Sequence, residues 1–180
     1  MKNRLILGLV LATLLPGAAR STVQDSAPGG FTIKQTYSVA ATPEDAYRRF
    51  LRIGEWWNSQ HTFSGDAHNL SIEEKPMGCF CEKLAGGGAA RHMELVYLAP
   101  GKLLRFTGGL GPLGALATAG TFTVQFTAAD GGTRIDATYA VGGYSPTGLA
   151  PLAPTVDMVL AEQFTRFKNY VEHGNPAAPK

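Results

Sequence analysis

From Leu70 to about residue 141 the chain repeats one pattern, short runs of alternating apolar and polar residues separated by tight-turn chemistry, and this constrains the fold more than any other feature. Strands are read at about 69–75, 78–84, 91–99, 102–108, 119–128 and 133–141. The links "KPMG", "AGGGAA", "APGK" and "AADGG" supply the Gly, Pro and Asp that sharp reversals require. Connections this short cannot cross over a sheet, so the strands must run as an antiparallel meander. Two longer Gly-rich stretches, 108–120 and 142–154, interrupt it, and the first reads as an apolar flap.

The flanks add one strand and the helices. "FTIKQTYSV" at 31–39 alternates Phe31, Ile33, Tyr37 and Val39 against Thr32, Lys34, Thr36 and Ser38, as a half-buried strand does. In "ATPEDAYRRFLRIG" Thr42 is a candidate N-cap, Pro43 suits the first helical position, and Gly54 is a natural stop. "EWWNSQHTFSGDAHN" reads as a second short helix or an irregular lid. The chain closes on "TVDMVLAEQFTRFKNYVEHG", where Val156, Val159, Leu160, Gln163, Phe164, Phe167, Tyr170 and Val171 fall on one face of a helix of about five turns. The fold class is therefore α+β: a curved antiparallel sheet of about seven strands wrapped on a long C-terminal helix, with two short helices after the first strand. Such a grip leaves a cavity between sheet and helix, where a ligand would sit.

The first residues, "MKNRLILGLVLATLLPGAARS", place Lys2 and Arg4 before an apolar run too short to span a membrane, and small residues follow it. Residues 1–20 are read as a secretory signal, 21–30 as a flexible leader, 31–173 as the ligand-binding domain and 174–180 as a disordered tail. The expected location is periplasmic or secreted, with no membrane anchor in the mature form. Cleavage near Ala19 removes two of the 16 basic residues and none of the 14 acidic ones, which balances the charge at 14 each. With no Lys/Arg cluster, nothing offers a footprint for nucleic acid.

"MGCFCEKL" at 77–84 holds both cysteines, and "HMEL" follows at 92–95. On an extended strand Cys79 and Cys81 would share a face with Cα atoms roughly 6.6 Å apart. That is the upper edge of disulfide geometry, so the pair reads as unbridged. A hairpin centred on "AGGGAA" pairs residues whose numbers sum to 175, setting Cys81 opposite Glu94, Phe80 opposite Leu95 and Glu82 opposite Met93. The face with Phe80, Leu84, Met93, Leu95 and Tyr97 then points at the core, carrying Glu82 with it. Cys79, Cys81, His92 and Glu94 fall on the outer face, open to cover by a loop or by a second copy of the chain in a homodimer. Their side chains project in parallel rather than toward one ion, so no metal and no cofactor is assigned. Arg91 is the available partner for Glu82.

These elements resemble the START-like, or SRPBCC, superfamily of helix-grip proteins, in the branch of activator-of-heat-shock-ATPase homologues or of polyketide cyclases. The resemblance is carried by the strand followed by "TPEDAYRRF", the "WW" at 56–57, the G-x-F-x-E strand at 78–82, the "YLAPGKLLRF" hairpin at 97–106 and the closing helix, and it spans 31–173. It implies a hydrophobic cavity used by different relatives for lipid carriage, polyketide cyclisation or partner binding. The function expected is an exported protein holding a small hydrophobic, lipid-like or polyketide-like ligand. Glu82, Arg91 and Gln163 are its polar contacts, and Trp57, Phe80, Met93, Leu95, Tyr97 and Phe167 its walls. The alternatives are a cyclase or hydratase using Glu82 or His61 as general base, and an interaction module without ligand.

Overall fold

The computed structural model describes residues 20–177. The signal segment, apart from Arg20, and the last three residues of the tail lie outside the described residues. The strands are β1 (Arg20–Ala27), β2 (Gly30–Val39), β3 (Leu70–Ile72), β4 (Gly78–Lys83), β5 (Ala89–Ala99), β6 (Leu103–Gly108), β7 (Ala117–Ala129) and β8 (Gly132–Tyr144). The helices are α1 (Pro43–Leu51) and α2 (Ala153–His173). All strands pair antiparallel in one sheet, in the order β1-β2-β8-β7-β6-β5-β4-β3. The meander from β3 to β8 is the one that the turn chemistry demands, and β2 returns to lie beside β8.

Two expectations need correction here. Residues 21–30, read as a flexible leader, begin in β1, an edge strand that pairs with β2 through backbone bonds from Arg20↔Thr36 to Ala27↔Gly30. This makes the sheet eight-stranded rather than seven-stranded. The segment after α1 forms no second α-helix but three single turns of 3-10 helix, at 53–55, 59–61 and 67–69.

α1 starts as its sequence dictates, with Thr42 accepting the Asp45 N–H at 3.2 Å and Pro43 at the first position. α2 lays its apolar stripe on the inner face of the sheet, and Gly174 closes it in the left-handed conformation. The contact is aromatic: Tyr37 stacks on Phe164 at 5.2 Å, and Phe167 meets Trp56 at 5.0 Å and Phe50 at 5.5 Å. No described helix is long and apolar enough to cross a membrane.

The β4–β5 register also differs from expectation. The pairs are Phe80↔Met93 and Cys79↔Glu94, a slip of two residues from the predicted partners, because the loop closes on Gly86 and Gly87 with β5 starting at Ala89. A slip of two preserves the alternation, so Phe80, Met93 and Leu95 still face inward. β5 then carries two bulges. His92 is an extra residue between Met93 and Arg91 opposite β4, and Val96 is extra opposite β6. The first turns His92 inward beside Met93, against the prediction that it shares the cysteines' face. The second turns Tyr97 outward beside Val96, 53% and 48% exposed, against the prediction that it lines the core. Finally, Cys79 and Cys81 are joined in a disulfide with Cα atoms 5.3 Å apart, closer than a regular strand allows.

Phe167 is wholly buried among Phe50, Trp56 and Phe164. Phe167→Ala is expected to cost about 3–5 kcal/mol of stability, the usual loss for emptying a buried aromatic position. Urea unfolding measures it, and a loss well under that range would show that the helix is not fastened at this ring.

Candidate functional site

The inner face of the sheet is filled where the C-terminal half of α2 covers it and hollow where the N-terminal half does. A cavity of about 620 Å³ opens there. Its walls are the first turns of α2 (Val156, Val159, Leu160), the loop 57–63 and the flap 110–116. Its floor is Leu70 of β3, Phe80 of β4 and His92 of β5. The flap is tied down at its root by Tyr139, whose hydroxyl accepts the Leu110 N–H at 3.1 Å. Burial pushes that phenol up to about 12. Gly120 is required beside it, since a Cβ there would meet the Tyr139 ring at 2.6 Å.

The loop 56–64 is pinned at both ends by polar side chains. On the α2 side, Arg166 Nε donates to the Trp56 carbonyl at 3.0 Å and Gln163 Oε1 accepts the Asn58 N–H at 2.8 Å. Glu162 accepts from the Asn58 side chain and lies 3.0 Å from His61 Nε2. Burial would raise the Glu162 carboxyl, but the bonds from Asn58 and His61 outweigh it and hold it below the usual range. On the sheet side, Glu82 Oε2 accepts the Phe63 N–H at 3.1 Å and Oε1 accepts the Ser64 N–H. Glu82 Oε2 also lies 2.9 Å from His92 Nε2. Burial of Glu82 acts to raise its carboxyl, and the bonds from Ser64, Phe63 and His92 overcome that and hold it low. His92 in turn is sandwiched, with Phe63 stacked at 5.3 Å and Phe80 tilted at 5.3 Å.

The residues predicted as a site are thus divided. Trp57 and Phe80 line the cavity. Glu82 and Gln163 lie just behind the walls, fully buried, and fix the loop. Met93, Leu95 and Phe167 are packed into the core beyond it. Arg91 and Tyr97 are outside: Arg91 bonds Glu94 at 3.0 Å on the outer face, and His92 takes the place expected for Arg91 beside Glu82. The first bulge splits the four candidate metal ligands, sending His92 inward and leaving Cys79, Cys81 and Glu94 outside. Among the described residues no group of three or more His, Cys, Asp or Glu side chains is placed to hold one. His61, one candidate base, stands at the cavity rim against Glu162, and Glu82, the other, has both oxygens engaged. His92 escapes sequence reasoning because a bulge has no signature here, and Phe63 because it lies on an irregular loop with no periodicity to orient its side chain. Val156, Val159 and Leu160 were visible in the helical stripe.

A family model described as polyketide cyclase / dehydrase and lipid transport matches residues 30–172. No curated protein matches the chain in sequence. Solved structures do match in fold. The Aha1 dimer from Colwellia psychrerythraea is 16% identical, with 79% of this chain and 97% of that one covered and a TM-score of 0.56. CalU16 from Micromonospora echinospora is 14% identical, with 89% and 88% covered and a TM-score of 0.56. Ara h 8.0201 is 16% identical, with 79% and 98% covered and a TM-score of 0.56.

Glu82→Gln puts an amide where two backbone N–H groups need acceptors, so one of them loses its partner. A loss of about 1–3 kcal/mol in urea unfolding at neutral pH is expected. Because the folded-state value of Glu82 is depressed, its contribution is fully present above the ordinary value of 4.5 and is lost as pH falls through the lower folded value. The gap between wild type and Glu82→Gln should therefore close in acid, and a gap that widens there would contradict the geometry.

Proposed function

This chain belongs to the polyketide cyclase / dehydrase and lipid transport family, and we propose that it binds one small, largely apolar molecule in the cavity under the first turns of α2. The observation that carries this is the lining. Nineteen of the described residues, from six separate parts of the chain, converge on a space of about 620 Å³, and the ionisable ones among them are two histidines. That volume is within the range of small-molecule sites, roughly 300–1,000 Å³. The floor and helix wall present Phe80, Leu70, Val156, Val159 and Leu160, and the flap presents Leu110, Leu113 and Leu116. Water gains few hydrogen bonds in such a space, so an apolar occupant replaces it favourably.

The reading extends to the setting. The leader with Lys2 and Arg4 ahead of an apolar run supports export, which makes the protein a periplasmic or secreted carrier of a lipid-like or polyketide-like molecule. The family description covers both cyclisation and transport, and the engagement of both Glu82 oxygens by the Phe63 and Ser64 N–H groups favours carriage.

Native mass spectrometry of the mature protein from its host should show an apolar molecule retained, released on organic extraction. Val156→Trp fills the cavity from the helix side and should reduce binding of a hydrophobic fluorescent dye at least tenfold while leaving the circular dichroism unchanged. A protein that is always empty and never takes up the dye would overturn the carrier reading.

A further inference from the structure

We propose that Nδ1 of His92 is the acceptor for a hydroxyl group of the ligand, so that the cavity takes an uncharged apolar molecule bearing one phenolic or alcoholic hydroxyl. The proposal rests on the ligand-binding reading above and names the chemistry of the same site.

Proton positions fix the donor and acceptor roles around Glu82. Backbone N–H groups can only donate, so the Glu82 oxygens that meet Phe63 and Ser64 are acceptors there. The ring nitrogen 2.9 Å from the same Oε2 is therefore the one that carries hydrogen, and His92 donates from Nε2. In the neutral imidazole the hydrogen on one nitrogen leaves a lone pair on the other. Nδ1 is that atom. Glu82 is the ring's one hydrogen-bond partner among the described residues, and Nδ1 is not sealed in the core, since His92 lines the cavity.

The ring is also held still. Phe63 stacks on one side with an interplanar angle of 18°, Phe80 packs at 46°, and the bond to Glu82 fixes the edge. A fixed lone pair in an apolar wall selects by what approaches it: a hydroxyl is matched, whereas an ether or carbonyl oxygen is repelled. Anionic ligands are disfavoured as well. Among the described residues no lysine or arginine lines the cavity, and the Glu82 carboxylate stands directly behind the ring.

The test compares three probes of one shape on the full mature protein by isothermal titration calorimetry at about pH 7.5. 1-Naphthol donates a hydrogen bond, 1-methoxynaphthalene only accepts, and 1-methylnaphthalene does neither. Wild type should bind 1-naphthol roughly five- to tenfold more tightly than 1-methylnaphthalene, the worth of one net hydrogen bond, with 1-methoxynaphthalene no better than the hydrocarbon. His92→Phe keeps the aromatic sandwich without the nitrogen. It should bring the preference for 1-naphthol over 1-methylnaphthalene to about one. Equal binding of 1-naphthol and 1-methoxynaphthalene by wild type overturns the assignment even if the variant does not fold, and so does a naphthol preference that survives in His92→Phe. If none of the three probes binds, the carrier reading fails and takes the assignment with it.

Discussion

The aromatic contact between the C-terminal half of α2 and the sheet is the constraint from which the rest follows. Phe164 lies between Tyr37 at 5.2 Å and Phe122 at 6.3 Å, and Phe167 is enclosed by Phe50 and Trp56. Rings of this size fill the gap between helix and sheet, and the helix axis is set by them. Two turns earlier the same stripe offers the shorter Val156 and Val159, and there the cavity lies between helix and sheet. The helix cannot tilt to close that end without opening the other. A cavity is thus the consequence of a size gradient along one helix, and its apolar lining forgoes the dispersion contacts that a filled core would have. A ligand restores them.

The second constraint is the buried carboxylate of Glu82. An ionised side chain without partners would be very costly at a position of 0% exposure. Three donors converge on it, the Phe63 and Ser64 N–H groups from the loop and the His92 ring from β5, the strand paired with β4. The same atoms that satisfy the charge therefore fasten the loop and aim the ring. At the other end of the loop, Gln163 does similar work with its oxygen toward Asn58, while its amide nitrogen has no partner among the described residues. The loop between Trp56 and Ser64 is held by a helix on one side and by the sheet on the other. That makes it a wall of the cavity, not a swinging lid.

How much of this could be read in advance follows from which features are periodic. The strands, their antiparallel order, the α1 cap at Thr42 and the stripe of α2 are all written in alternation, turn residues or helical spacing. The inward face of Phe80, Glu82, Met93 and Leu95 was legible too, because it depends on parity alone and a slip of two residues does not alter it. Bulges are different. His92 and Val96 are each one residue of excess in a strand whose composition is ordinary, and each reverses the parity of what lies beyond. For that reason alternation alone puts Tyr97 on the inner face and His92 on the outer one, the reverse of where they lie. β1 escaped because an edge strand paired on one side needs no strong alternation.

The first bulge also accounts for the chemistry on both faces of β4. A bulge bends and twists the strands around it, and here the extra residue lies opposite the step from Phe80 to Cys81. On the outer face the Cα atoms of Cys79 and Cys81 stand 5.3 Å apart, inside the usual range for a disulfide, where a regular strand would hold them at roughly 6.6 Å. On the inner face the same irregularity lets His92 and Met93 point inward in succession, which a regular strand forbids. The bridge closes so short a loop that it removes little freedom from the unfolded chain, and its effect on overall stability is correspondingly small. What it constrains is local: the bend of β4 at Phe80, the residue that forms the cavity floor beside His92. The cysteines face away from the ligand site, yet they belong to it through the backbone they share with Phe80.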